Sequence, residues 1–238
     1  MAHDAEILRK AAARLRRNDP VLAVIIRDVG PCRLRVEVRG GAFAALAESI
    51  VYQQITGKAA ASIYGRLRRL VRRRHPRPQD ILAATAKALR KVGLSRQKVA
   101  YLRDLSERVR DGLKLRSIAR LEDEAVIEAL IEVKGIGRWT AEMFLMFRLH
   151  RPDVLPAGDL GIVNAIRRLY GLRKRPDAKR VLRIGEAWKP YRSVASWYLW
   201  QTLRNEPDPT VRKAAATSAP SARAAGSPRR SLPKSRVR

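Results

Sequence analysis

The stretch Val133-Lys134-Gly135-Ile136-Gly137-Arg138-Trp139-Thr140-Ala141 lies between two apolar runs, and an acid, Asp159, follows the second run. Gly135 and Gly137 permit a tight turn between two helices, because glycine tolerates positive φ and leaves backbone N–H groups uncovered. Those N–H groups would precede a helix N-terminus, where phosphate oxygens bind. The stretch predicts a helical hairpin that contacts a phosphate backbone without reading base sequence. By itself, Gly-x-Gly between two helices is more often a plain turn, and the neighbouring residues and the basic charge of the chain favour the phosphate contact.

The rest of the chain has the spacing of helices. Apolar residues recur three or four positions apart, as at Phe43, Leu46 and Ile50, which is the period of an amphipathic helix. Asp19-Pro20, Arg175-Pro176, Asp80 and Ser95 are helix-start signals. We expect about nine or ten helices and an all-α fold. The strand-like alternation at 33–38 is too short to form a sheet by itself.

The composition points to a folded protein with a polyanionic partner. Of the 238 residues 46% are hydrophobic, and 51 Lys and Arg against 22 Asp and Glu give a net charge of +29. Such an excess favours nucleic acid through counterion release, ahead of an anionic membrane. The absence of a long apolar run or secretory signal predicts a cytoplasmic, nucleoid-associated protein. One cysteine and three histidines without ligand spacing predict no side-chain metal centre and no required cofactor.

Composition also divides the chain. Residues 1–18 are expected to form an N-terminal helical extension, and residues 19–206 a helical domain with the hairpin at about 122–149. From residue 207 to 238 the chain is rich in Ala, Ser, Pro and Arg, a composition typical of a disordered basic tail.

Three segments together resemble a known family. They are Ser49-Ile50-Val51-Tyr52-Gln53-Gln54-Ile55, the hairpin stretch, and Trp188-Lys189-Pro190-Tyr191-Arg192-Ser193, with lesser support from Gly93-Leu94-Ser95-Arg96-Gln97-Lys98. In this order they resemble the helix-hairpin-helix (HhH-GPD) DNA glycosylases, and within them the 3-methyladenine DNA glycosylase II branch. The resemblance implies two helical lobes with the active site between them. Because only about forty residues precede Phe43, the N-terminal β-domain of longer relatives is expected to be absent or reduced.

The resemblance also implies a reaction, the hydrolysis of the N-glycosidic bond of a flipped-out alkylated base of the 3-methyladenine or 7-methylguanine type. Asp159 matches the family's catalytic aspartate, which would stabilise an oxocarbenium-like sugar or act as a general base on water. By itself, an aspartate before an apolar helix is also an ordinary N-cap. Bifunctional relatives hold a lysine where this chain has Trp139, so we expect an abasic product without strand cleavage.

The remaining site residues follow from the same resemblance. An electron-rich indole attracts a cationic methylated purine, and the expected walls of the base pocket are Trp139 and Trp200, with Tyr52, Met143 and Phe144 as weaker candidates. Trp188 and Trp197 are expected in the core. The expected DNA contacts are Gln53 and Gln54 as a wedge and, at the hairpin, Lys134, Gly135, Gly137, Arg138 and Thr140. The backbone carbonyls of Ile131, Val133 and Ile136 match a site for structural Na⁺ or K⁺.

The sequence is compatible with three functions. The leading one is a monomeric, monofunctional repair enzyme acting on duplex DNA that contains alkylated bases. A non-catalytic hairpin protein that coats or bends DNA would explain the charge, although it leaves Asp159 and the tryptophans without a role. A glycosylase for deaminated or oxidised bases is the third, and neutral lesions would gain less from indole stacking.

Overall fold

A computed structural model describes residues 2–34 and 40–204, and within these ranges the fold is all-helical. The α-helices in chain order are α1 Ala2–Asn18, α2 Pro20–Val29, α3 Ala42–Tyr52, α4 Gly57–Leu70, α5 Pro78–Ala83, α6 Ala86–Lys91, α7 Arg96–Arg110, α8 Asp123–Ile131, α9 Arg138–Phe147, α10 Leu160–Leu169, α11 Ala178–Gly185 and α12 Arg192–Arg204. Short 3₁₀ turns cover Ile118–Arg120 and Glu186–Trp188. The expected tail and most of the strand-like segment lie outside the described residues.

The first lobe consists of α3 to α9 around a core drawn from residues 43–154. Its apolar positions recur at helical spacing, so each helix turns one stripe inward. Leu46 and Ile50 of α3, Leu102 of α7 and Leu145 of α9 are almost completely buried. The hairpin between α8 and α9 belongs to this lobe, because Val133 and Ile136 are buried in the same core.

The second lobe combines the two ends of the described chain. Its core joins α1 and α2 to α10, α11 and α12. The segment 1–18, expected as an extension, contains α1, whose Ala11 and Leu15 are fully buried in this lobe. Trp188 is buried here, as predicted, and Trp197 packs against the same cluster. Trp200 packs against both cores, so the two lobes predicted from the sequence meet at this residue.

A buried aspartate fastens the start of α2 to the second lobe. Asp19 is 5% exposed, and its Oδ1 accepts hydrogen bonds from the N–H groups of Val21 and Leu22 as the N-cap of α2. Its Oδ2 accepts from the Trp188 indole at 2.7 Å and from the Tyr170 hydroxyl. Burial and then the bond to Asp19 raise the pKa of the Tyr170 phenol. One carboxylate thus ties three separate parts of the chain together.

We expect Asp19→Ala to lower the free energy of unfolding by about 3 kcal/mol, because it removes a cap and leaves the buried Trp188 indole and the half-buried Tyr170 hydroxyl without an acceptor. Urea unfolding measures the loss. Asp177→Ala is the matched control: Asp177 also caps a helix, α11, by accepting from Arg180 N–H, but it lies at the surface and its loss should cost about 1 kcal/mol. Equal losses in the two variants would contradict the structural role given to Asp19.

In the described part of the chain, none of the helices is both long enough and apolar enough to cross a membrane.

Candidate active site

Asp159 lies where the two lobes join, in the turn between α9 and α10. It is the N-cap of α10, and its Oδ1 accepts from the Ile162 N–H at 2.8 Å. The same oxygen accepts from Trp200 Nε1 at 3.0 Å, and Oδ2 accepts from Trp139 Nε1 at 2.7 Å. Three N–H groups from α9, α10 and α12 therefore hold one carboxylate in place. The N-cap interpretation of Asp159 is confirmed, and the same side chain contacts the two tryptophans predicted to form the base pocket.

The two indoles differ in what surrounds their rings. Trp139 is 50% exposed at the start of α9, so much of its ring is open to an incoming group. Trp200 is partly buried and stacks on Phe147, with ring centroids 6.1 Å apart and planes 25° apart. The structure brings the two predicted pocket tryptophans together, and it adds a hydrogen-bonding role for both indole N–H groups that the sequence did not indicate.

Gly161 is a site residue that the sequence analysis missed. A Cβ atom at this position would lie 2.9 Å from Asp159 Oδ1 and 3.2 Å from Trp200 Cδ1. A side chain would therefore displace the carboxylate or the indole. The sequence signal is a glycine inside a helix two residues after the acid, where glycine is otherwise unfavourable.

The hairpin turn depends on two different glycines. Gly135 has φ +83°, and a Cβ there would lie 2.1 Å from the Tyr101 ring of α7. Gly137 has φ −92° and is the N-cap of α9, and a Cβ there would meet nothing within 4 Å. Gly135 is needed for backbone conformation and close packing, whereas Gly137 lies exposed at the helix N-terminus.

Asp104 of α7 anchors the hairpin and was not identified from the sequence. Its Oδ2 accepts from the Lys134 backbone N–H at 2.9 Å and lies 3.1 Å from Arg108 Nε. The Lys134 ammonium is 3.5 Å from Oδ1 and is largely exposed. Burial by itself would raise the pKa of the Asp104 carboxyl. The hydrogen bonds from Lys134 and Arg108 outweigh that effect and lower the pKa below its ordinary value. No local pattern could identify this contact, because Asp104 is thirty residues away from Lys134 in the chain.

The predicted wedge segment lies beside the hairpin. Gln53 donates from Nε2 to the Gly135 carbonyl at 2.8 Å, and the exposed Gln54 has φ +57°. Lys98 fixes the backbone of this segment, because its ammonium donates to the carbonyls of Val51 and Gln53 at 2.6 and 2.7 Å. Burial lowers the pKa of Lys98. Lys98 lies in the segment that lent lesser support to the resemblance, where it had no assigned role.

The other predicted site residues differ in burial and in their hydrogen-bond partners. Arg138 donates to both oxygens of Glu124 at 2.6 and 2.7 Å and approaches Glu142 at 3.3 Å. Thr140 is 8% exposed, and Phe144 is buried in the first core. Met143 packs against that core, and Tyr52 is 37% exposed at the end of α3.

The hairpin carbonyls predicted to hold a cation lie at the end of α8 and in the turn. The Val133 carbonyl accepts from Ile136 N–H at 3.0 Å, and a carbonyl oxygen retains a second lone pair for a cation. The described residues contain no cluster of His, Cys, Asp or Glu that could hold a metal ion. The neutral oxygens fit a weakly bound monovalent cation in preference to a transition metal.

Glu142 allows a prediction of pH dependence. It is 7% exposed, and burial raises the pKa of its carboxyl to about 6 from an ordinary 4.5, against the effect of Arg138. The folded state therefore binds this proton more tightly than the unfolded state does. The free energy of unfolding falls as pH rises from about 4.5 to about 6. We expect Glu142→Gln to gain about 2 kcal/mol relative to the wild type between pH 4 and pH 8 in urea unfolding.

Glu124→Gln is the control for that measurement, because Glu124 bonds to the same arginine. The hydrogen bond from Arg138 lowers the pKa of Glu124, so its contribution appears as pH rises and the control should shift in the opposite direction. Shifts of the same sign in both variants would contradict the burial effect assigned to Glu142.

The comparisons with known proteins agree with this geometry. The model of the HhH-GPD superfamily of base excision DNA repair proteins matches residues 47–190. DNA-3-methyladenine glycosylase 1 of Schizosaccharomyces pombe is 38% identical over 162 residues, which are 67% of this chain and 71% of that protein. The crystal structure of a DNA-3-methyladenine glycosidase from Bacillus halodurans aligns at a TM-score of 0.74 with 38% identity, over 82% of this chain and 89% of that one.

A further solved structure, a Schizosaccharomyces pombe 3-methyladenine DNA glycosylase in complex with abasic DNA, aligns at a TM-score of 0.70 with 35% identity. The alignment covers 82% of this chain and 97% of the yeast chain.

Proposed function

Because the chain belongs to the HhH-GPD superfamily of base excision DNA repair proteins, we propose that it is a monofunctional, type II DNA-3-methyladenine glycosylase. It would hydrolyse the N-glycosidic bond of an alkylated base in duplex DNA and leave an abasic site. The observation that carries the proposal is the Asp159 carboxylate held between the indole N–H groups of Trp139 and Trp200.

The carboxylate supplies the chemistry that base release needs. Departure of the base leaves the sugar with the charge of an oxocarbenium ion, and a fixed anion beside the ring stabilises that charge. The three N–H donors orient Asp159 before the substrate arrives, so the site needs little reorganisation during the reaction. Preorganised groups of this kind commonly contribute about 10²- to 10³-fold in rate.

The indoles support an alkylated base as the substrate. A purine methylated at a ring nitrogen is cationic, and its stacking on an indole gains on the order of 1–2 kcal/mol. The half-exposed ring of Trp139 offers such a face next to Asp159. The positive charge also makes the base a good leaving group. Release can then proceed without a dedicated acid to protonate it.

Trp139 also supports simple hydrolysis. An indole has no amine that could attack the sugar carbon and form a Schiff base, which is the step that leads to strand cleavage. The Lys134 amine lies at the hairpin, within 3.5 Å of Asp104.

DNA would approach the face formed by the hairpin and the wedge segment. The backbone N–H groups around Gly137 would bind phosphate, with Gln54 entering the gap left by the flipped base. The carbonyls of Ile131, Val133 and Ile136 would hold Na⁺ or K⁺, which would add positive charge near the phosphate. We expect a monomer to suffice and to act at the nucleoid.

The test is base release from duplex DNA treated with a methylating agent, with the freed bases identified by mass and the strands examined on a denaturing gel. We expect 3-methyladenine and 7-methylguanine, and strand breaks only after alkali. Release of hypoxanthine or oxidised guanine alone, from duplexes carrying those bases, would favour the third function. Tight binding without release of any base would identify a DNA-binding protein that is not an enzyme.

A further inference from the structure

Positive charge is concentrated at the C-terminal end of α4. A concavity of about 670 Å³ is lined by Gly65 and by the arginines Arg68, Arg69, Arg72, Arg73 and Arg74. All five arginines are exposed. Five guanidinium groups around one concave surface provide many N–H donors, in the fork geometry that matches phosphate oxygens.

The backbone at this end of α4 is specific in form. Arg72 N–H donates to the Arg69 carbonyl and Arg73 N–H to the Arg68 carbonyl, which together form a Schellman cap. Arg72 occupies the left-handed position of that cap, with φ +52°, where glycine is the favoured residue. The chain thus places an arginine, at some conformational cost, where a glycine would be easier to accommodate.

Little negative charge offsets this cluster. Arg73 forms an ion pair with Asp80 at 3.1 Å, while the other four arginines have no ion pair among the residues that the structure describes. The positive charge also affects the neighbouring His75. Burial and then the charges of Arg74 and Arg68 lower the pKa of its imidazole. The concavity is therefore suited to a polyanion.

The cluster lies at the opposite end of the first lobe from the hairpin. The end of α3 meets the hairpin through Gln53, and α4 then runs back along α3, so that the Tyr64 hydroxyl reaches the Ala44 carbonyl at the start of α3. At that same end, a Cβ atom on Gly40 would lie 2.7 Å from the His75 ring. The fourteen residues of α4 span about 20 Å, which is about the width of a duplex.

We infer that the arginine cluster at residues 68–74 binds the phosphates of a second segment of duplex DNA while the hairpin face holds the first. The inference rests on the binding of duplex DNA by the hairpin face. It does not require that the bound DNA be alkylated. A protein with two such surfaces can pass from one duplex to another through a ternary complex, without first dissociating into solution.

The test compares the wild type with the variant Arg69→Ala, Arg72→Gly, Arg74→Ala in the full chain. Glycine at 72 suits the left-handed cap, so the variant should fold. A fluorescent undamaged duplex is released from the protein in the presence of rising concentrations of unlabelled duplex. In the wild type the release rate should rise with competitor concentration, because the competitor binds before the first duplex leaves. In the variant this dependence should be about tenfold weaker.

The matched control removes the same charge elsewhere, in Arg14→Ala, Arg16→Ala, Arg17→Ala on the exposed face of α1, and should behave as the wild type. Single-turnover base release at saturating DNA should be the same in all three proteins, so failure of the proposed function would show separately. Equal competitor dependence in both variants, or none in the wild type, would overturn the inference. Loss of binding to anionic vesicles in the arginine variant, with unchanged transfer between duplexes, would instead assign the cluster to a membrane.

Discussion

Asp159→Asn is expected to slow single-turnover base release by about 10²- to 10³-fold, with DNA affinity largely retained. The substitution removes the negative charge that would face the oxocarbenium-like sugar, and it keeps the size of the side chain. Rates measured at saturating enzyme on methylated duplex DNA, together with fluorescence anisotropy for binding, separate the two effects.

The geometry indicates that the variant will fold. The asparagine oxygen can keep the bonds that Asp159 Oδ1 accepts from Ile162 and Trp200, and asparagine caps helices as well as aspartate does. The amide nitrogen would then face Trp139 Nε1, so two donors would meet where one bond existed. Because Trp139 is half exposed, its indole can turn toward solvent and bond to water.

Asp177→Asn is the matched control, because Asp177 caps α11 as Asp159 caps α10, and its carboxylate accepts from the Arg180 N–H instead of an indole. Its rate of base release should equal that of the wild type. An Asp159→Asn variant that keeps its rate would show that the carboxylate is only a cap. A variant that loses binding and rate together would point to an effect on folding or docking, and the mechanism proposed for Asp159 would fail.

Gly135→Ala is expected to have the largest effect on the hairpin. The residue has φ +83°, and the added Cβ would lie 2.1 Å from the Tyr101 ring, so the turn must change its backbone conformation or push α7 away. Strained backbone and overpacking of this kind together cost about 3 kcal/mol. We also expect DNA binding to weaken by tenfold or more, because the backbone N–H groups that we propose bind phosphate would change direction. Urea unfolding and anisotropy give the two values.

Gly137→Ala controls for the stability effect, since its Cβ meets nothing within 4 Å and its φ of −92° suits any residue. Its free energy of unfolding should stay close to that of the wild type. The double variant Gly135→Ala with Tyr101→Ala should recover only part of the loss, because it relieves the contact and leaves the positive φ. Full stability of the single variant would show that the turn can adapt, contrary to the packing described for Tyr101.

Helix starts are predictable from the sequence where neighbouring residues alone make the cap. The starts of α2 at Asp19-Pro20 and of α7 at Ser95 are confirmed, because a cap is made by residues within three positions of each other. Two predicted helix starts were displaced by a few residues. Asp80 was predicted as an N-cap, but the N-cap is Arg77, whose backbone N–H donates to Asp80. The start predicted at Arg175-Pro176 lies before the observed one, because Asp177 is the N-cap and α11 begins at Ala178. The described residues contain twelve α-helices, more than expected, because α5 and α6 have six residues each, too few to show a period.

The sequence by itself determined the all-helical class and the glycine hairpin, and it predicted a polyanionic partner and Asp159, Trp139 and Trp200 as site residues. Each of these depends on residue type, on short-range spacing or on the resemblance of whole segments. Only the tertiary structure showed that both indoles donate to the one carboxylate, and that Gly161 leaves room for Asp159 and Trp200. It also showed that Asp104 bonds to the hairpin and Lys98 to the wedge segment. These contacts join residues far apart in the chain, and they depend on how the helices pack, which no local pattern of residues specifies.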